Sequence, residues 1–157
     1  MYWKQPKDIH VVYEAISAVA DKRISLIGKN KAKCFSTSGK KYYEIEYDPE
    51  ADSIMSNDNM AYYVGEISYP MIAYFLVIKK ISYNKDILKY FKNIKWKDIN
   101  QKNKNDFMKS VREVLKNIGE NDGDVKFIEN EADKIFKEVL DLKLKQLGEL
   151  KLPPKTY

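Results

Sequence analysis

At 157 residues with one cysteine, Cys34, the chain is sized for a single domain and cannot close an intramolecular disulfide, which excludes a secreted disulfide scaffold. The formal net charge of +5 favours acidic partners such as nucleic acid, but only Arg23 and Arg112 among the 28 bases are arginine. Readers of phosphates and base edges favour the arginine fork, so basicity alone is weak evidence of such a partner. The charge is also sorted along the chain. Tyr42 to Ile78 hold seven acids and no Lys or Arg, whereas Lys79 to Lys116 hold twelve bases against four acids.

The first fifteen residues carry a charge and a proline and lack the apolar run of roughly 7 to 15 residues that an export signal needs. The longest apolar run, Met71 to Ile78, falls far short of the roughly 20 residues that span a bilayer. The expectation is a cytoplasmic protein with no membrane partner.

Asp8, after Pro6, can cap a first helix over 8–21, whose apolar positions Ile9, Val12, Ile16, Val19 and Ala20 recur at helical spacing. Ile24 to Ile27 and Lys31 to Thr37 read as two antiparallel strands, with a turn signal at Ser38-Gly39. Lys41 to Asp48 alternates, with Tyr43, Ile45 and Tyr47 on one face and Tyr42, Glu44, Glu46 and Asp48 on the other, as a half-buried strand requires. A turn over Asp48-Pro49-Glu50-Ala51-Asp52 returns the chain through Ser53 to Ser56, making an antiparallel meander of three to four strands.

Pro70 suits the first turn of a helix, and Met71 to Ile78 is apolar on nearly every side, predicting a buried hub. Asn84 can cap a short helix over 85–92. Asn105 to Ile118 is amphipathic, with Gly119 as its expected stop. Asp124 to Leu147 keeps apolar spacings of three and four and is the longest predicted helix. The spacing predicts one α+β domain over 1–152, made of an N-terminal helix, a small meander and a C-terminal helical half, with a Pro-containing tail over 153–157.

Catalytic constellations are scarce. The chain has one histidine and one cysteine, and lacks phosphate-loop, dinucleotide, zincin and nucleophile-elbow motifs, so no cofactor is expected and the reading leans away from an enzyme. His10 sits off the apolar stripe one turn before Glu14, where an exposed ion pair is expected, and Cys34 reads as a small buried hydrophobe. Glu44, Glu46 and Asp48 project together and raise the idea of a hard-cation site. A calcium loop counted from Asp48 places Ser53 and Asn59 where Gly and Glu are needed, so a solvated acidic face is the reading and no metal is expected. As a row of like charges, that face would also discourage edge-to-edge pairing.

Two surfaces remain as candidates. The basic block offers Lys95, Trp96, Lys97, Lys109, Arg112 and Lys116. The last three fall within about 60° of one another on a helix, opposite the apolar positions, so phosphates could be drawn to this side. Trp96 is better suited to anchoring the core than to stacking on a base. The alternative is a protein-interaction surface at Tyr42, Glu44, Glu46 and Asp48, meeting a basic partner, or self-association through the last helix. The leading expectation is a non-catalytic binding domain that contacts nucleic acid through its lysine-rich helical surface.

Overall fold

The computed structural model describes residues 1–155, so Thr156 and Tyr157 of the expected tail lie outside the described residues. The chain forms an α+β fold: α1 (His10–Ala20), four antiparallel strands β1 (Ile24–Gly28), β2 (Lys31–Phe35), β3 (Tyr42–Asp48) and β4 (Ser53–Ser56), then α2 (Tyr69–Val77), α3 (Trp96–Lys102), α4 (Phe107–Glu120) and α5 (Val125–Leu140), and finally a two-residue β5 (Lys145–Gln146). The sheet order is β1-β2-β3-β4-β5, and β5 joins β4 in parallel.

The alternation in β3 turns Tyr43, Ile45 and Tyr47 inward beside Ala32 and Cys34 of β2, all buried against the helices. The apolar helix α2 covers that inner face. As its sequence predicts, α2 is buried on every side, with the ring edges of Tyr47 meeting Tyr74 and Phe75 at 6.0 and 5.1 Å between centroids. Packed against it, α1 is also buried nearly all round rather than striped, so the hub is a pair of helices.

The differences from expectation are local. Asp8 makes no cap: α1 starts at His10 after Ile9, with no side chain bonded to its free N–H groups. The segment after Asn84 is a 3-10 turn over Lys85–Tyr90, although Asn84 does cap it by accepting from the Asp86 N–H at 3.0 Å. Gly119 does not stop α4, which runs through Glu120. Capped by the Asp124 carboxylate, which accepts from the Phe127 N–H, α5 ends at Leu140, and part of the segment read as its last turns becomes β5. Tyr62 and Tyr63 lie in a π-turn, Met60–Val64. Because β3 is third in the sheet, its acidic row guards no edge; the edges are the two-residue β5 and β1, with Leu26 and Ile27 of β1 about half exposed.

The segment after β5 runs back toward the sheet. The Asn57 side-chain amide donates to the Leu152 carbonyl at 3.4 Å, and Lys151 Nζ lies 3.5 Å from Glu46 Oε1. A second tie sets up the site described next. The buried Asp58 carboxylate accepts from the Ser56 hydroxyl at 2.5 Å, the Ser68 hydroxyl at 2.7 Å and the Ala61 N–H at 3.1 Å. It thereby fixes β4, the π-turn and the start of α2 together, with Asn59 and Tyr69 close by in sequence. Among the described residues no helix is long and apolar enough to cross a membrane.

Candidate functional site

A cleft of ≈ 380 Å³ opens between the sheet end and α3. Glu14 reaches it from α1, Arg23 from the turn after α1, and Lys41 and Tyr43 from the start of β3. Tyr69 opens α2, and Lys97 and Asn100 come from α3. The β2–β3 loop overhangs it with Ser36, Thr37 and Ser38.

Arg23 is only 8% exposed. Its Nη1 donates to the Phe35 carbonyl at 3.1 Å, and its guanidinium carbon lies 5.9 Å from the centre of the Tyr69 ring. Its Nε has no hydrogen-bond partner and stands 3.8 Å from Asp21 Oδ2. A guanidinium carries five N–H donors, so Arg23 is a buried cation with donors to spare. Glu14 accepts from the Asn100 amide at 3.4 Å, with His10 Nε2 at 3.9 Å. Burial pushes its carboxyl up to about 7, against the opposing pull of Arg23 and the Asn100 bond. The Oδ1 of Asn100 is buried without a partner.

Burial also raises the phenols, Tyr43 to about 12 and Tyr69 well above its ordinary value, so both stay neutral near pH 7. The Cys34 thiol is pushed up to about 12 by burial, which keeps it in the unreactive protonated form. His10 is not the exposed ion-pair member expected of it. It is 7% exposed, stacked on Phe107 at 4.4 Å between centroids, and burial lowers its pKa.

A second cleft of ≈ 380 Å³ lies on the other side of the hydroxyl loop. It shares Arg23, Ser36, Thr37 and Ser38 and adds Lys22 and Lys95. Arg23 is thus the wall between two clefts, each carrying lysines on its rim.

The sequence-predicted residues are distributed unevenly around this site. Lys95 and Lys97 are exposed on the two clefts. Trp96 between them is 3% exposed and donates its indole N–H to the Ser17 hydroxyl at 2.8 Å, so it anchors α3 and offers no face to a base. Lys109, Arg112 and Lys116 form the exposed stripe expected of α4, opposite the buried Val111, Val114 and Leu115, and they line neither cleft. Part of the basic block is answered within the fold, by the Lys102 to Glu113 pair at 3.3 Å.

Tyr42, Glu44, Glu46 and Asp48 share the outer sheet face. There Lys33 stands in register with Glu44 and Lys31 with Glu46, and Lys33 Nζ lies 4.3 Å from the centre of the Tyr42 ring. Asp48 bonds the turn that follows it, accepting from the N–H groups of Glu50 and Ala51. Among the described residues no group of three or more His, Cys, Asp or Glu side chains is placed to hold a metal ion. The apolar stripe of α5 is used up in its own fold through Ile128, Ala132, Ile135 and Val139, leaving Leu140 exposed.

The cleft's central residues, Glu14, Arg23, Tyr69 and Asn100, escape a sequence reading because they come from four separate segments. Two signals do exist. Glu14 is the only acid in α1, and Arg23 is one of two arginines in a lysine-rich chain. No curated protein and no solved structure matches the chain. One family profile does, over residues 3–145, from the first buried tryptophan into β5, and the chain belongs to that family, described as uncharacterised conserved protein UCP014422.

Proposed function

We propose that this is a nucleic-acid-binding domain, in which the hydroxyl loop and its two cation-lined clefts receive the sugar-phosphate backbone and the α4 stripe adds attraction. The observation that carries the reading is the convergence of Lys22, Lys41, Lys95 and Lys97 around the half-satisfied Arg23. Phosphates are held by charge-assisted bonds from such groups, and neighbouring hydroxyls add further donors. The acidic strand face supports a protein-binding reading less well, because lysines of β2 stand opposite its carboxylates.

Fluorescence anisotropy of labelled single-stranded and duplex RNA and DNA, at low and near-physiological salt, tests this. Binding should weaken steeply as salt rises, as counterion release demands. The double reversal K95E/K97E should weaken it by about tenfold or more, and K109E/R112E should lower the slope on salt by about two phosphate contacts. Absence of binding even at low salt would retire the reading.

A further inference from the structure

We propose that the cleft over Arg23 is a site for a phosphomonoester of mononucleotide size, one that presents both a phosphate and hydrogen-bond donors. This deepens the strand-binding reading by naming what the cleft itself takes, and it can stand where that reading falls.

Charge comes first. Three cations, Arg23, Lys41 and Lys97, face the cleft against one carboxyl, Glu14. With burial holding that carboxyl up at about 7, it carries only part of its charge at neutral pH, and the balance favours an anion. Arg23 supplies the second observation. It is more than nine-tenths buried, yet among the described residues one Nη1 bond to a carbonyl is its only hydrogen bond, and its Nε, 3.8 Å from an Asp21 carboxylate that lies outside this cleft's lining, has none. Buried donors are ordinarily satisfied, so a guanidinium left in this state beneath a loop of hydroxyls is matched to acceptor oxygens that arrive with a ligand.

Asn100 makes the complementary demand. The bond from its amide to Glu14 fixes its orientation and leaves Oδ1 buried without a donor. A fully ionised phosphate cannot satisfy it, but a ribose hydroxyl or a base N–H can. Size sets the upper bound, since ≈ 380 Å³ is near the small end of ligand pockets, which run from about 300 to 1,000 Å³.

Calorimetric titration of the whole chain with nucleoside 5′-monophosphates, the matching nucleosides and inorganic phosphate reads this directly. The monophosphates should bind about tenfold or more tightly than either the nucleosides or phosphate alone, because each of those meets only half of the site. K41A/K97A changes one half-buried and one exposed side chain, and should cost about tenfold while leaving the circular dichroism spectrum intact. K126A/K137A, at exposed positions on α5 that line neither cleft and lie off the α4 stripe, should leave monophosphate binding unchanged. Oligonucleotides with a 5′-phosphate compared with a 5′-hydroxyl identify whether the phosphomonoester is a strand end or a free nucleotide. Monophosphates that bind no better than nucleosides, or a K41A/K97A variant that binds them as the unaltered chain does, would overturn the proposal.

Discussion

Glu14 holds its proton to about 7 because burial makes the carboxylate costly, and this links the site to pH. Between about 4.5 and about 7 the unfolded chain has released that proton while the folded chain retains it, so this group lowers stability as pH rises through the window, and its cost is level above it. The full cost is at most about 3 kcal/mol. Glu14→Gln keeps the shape and an acceptor for Asn100 while removing the ionisation. The variant should therefore be more stable than the parent at pH 8, by about 1 to 3 kcal/mol, and nearly equal to it at pH 4.5. His10 acts in the opposite direction, since burial lowers its pKa and stability is lost as pH falls below 6.5, but both proteins share that behaviour. Urea denaturation at several pH values gives the difference curve, and a gap that does not change with pH would show that Glu14 does not titrate there. Little of this was legible beforehand, because the environment of Glu14 is made by Arg23 and Asn100, which are distant in sequence from it or on another element.

At the scale of elements, what could be read was what the chain carries locally. The period-two alternation of β3 and the all-round apolarity of α2 need no distant information, and both stand in the structure as their sequences imply. The losses have a common cause. The spacing of three and four continues through Leu142, Leu144 and Leu147, but the pull of β4 and of residues 1–3 converts Lys145 and Gln146 to a strand, and a two-residue strand has no signature of its own. Likewise α3 begins after Lys95 without a side-chain cap and is held by distant partners, Trp96 on Ser17 and Asn100 on Glu14. The end of α4 shows how one glycine can mislead about another. Gly119 sits inside the helix, and an added Cβ would meet only the Val125 side chain at 3.2 Å. The turn is made at Gly123, whose N–H bonds the Ile118 carbonyl at 2.8 Å, and whose Cβ would come within 2.3 Å of Ile118 Cγ2 and 2.8 Å of its carbonyl oxygen. Backbone cannot yield as a side chain does. Gly123→Ala is therefore expected to cost about 2 kcal/mol or more, and Gly119→Ala to stay within about 1 kcal/mol of neutral, as helix propensity offsets the crowding. Thermal unfolding of the two variants side by side decides it, and equal melting temperatures would mean that the turn relaxes freely.

For the whole molecule, the question is whether the cleft and the far side of the sheet unfold as one. Residues 1–4 are tied to three separate parts of the chain. The Trp3 N–H donates to the Leu144 carbonyl at 2.9 Å, and the Gln146 N–H donates to the Met1 carbonyl at 2.8 Å. Lys4 exchanges backbone bonds with the segment before α2, donating to Gly65 and accepting from Ile67, both at 2.9 Å. The Trp3 ring is 4% exposed and gives its indole N–H to the Ile54 carbonyl of β4 at 2.8 Å. One short segment thus joins β4, β5 and the approach to α2, with the Trp3 ring as its buried anchor. Trp3→Ala removes a buried ring of the size that costs about 3 to 5 kcal/mol, a large share of the roughly 5 to 15 kcal/mol that a domain possesses. Trp3→Phe keeps most of the apolar volume, loses the bond to Ile54 and should cost about 1 to 2 kcal/mol. The chain has two tryptophans, so in either variant the emission excited at the red edge of the indole band comes from Trp96 alone and follows the α3 wall of the cleft, while far-ultraviolet circular dichroism follows the whole fold. In one cooperative unit the two signals have the same lowered midpoint in urea. A Trp96 transition left at the parent's midpoint, with only the dichroism shifted, would show that the cleft is held by α1, α2 and α3 without help from the strand pairing at the ends of the chain.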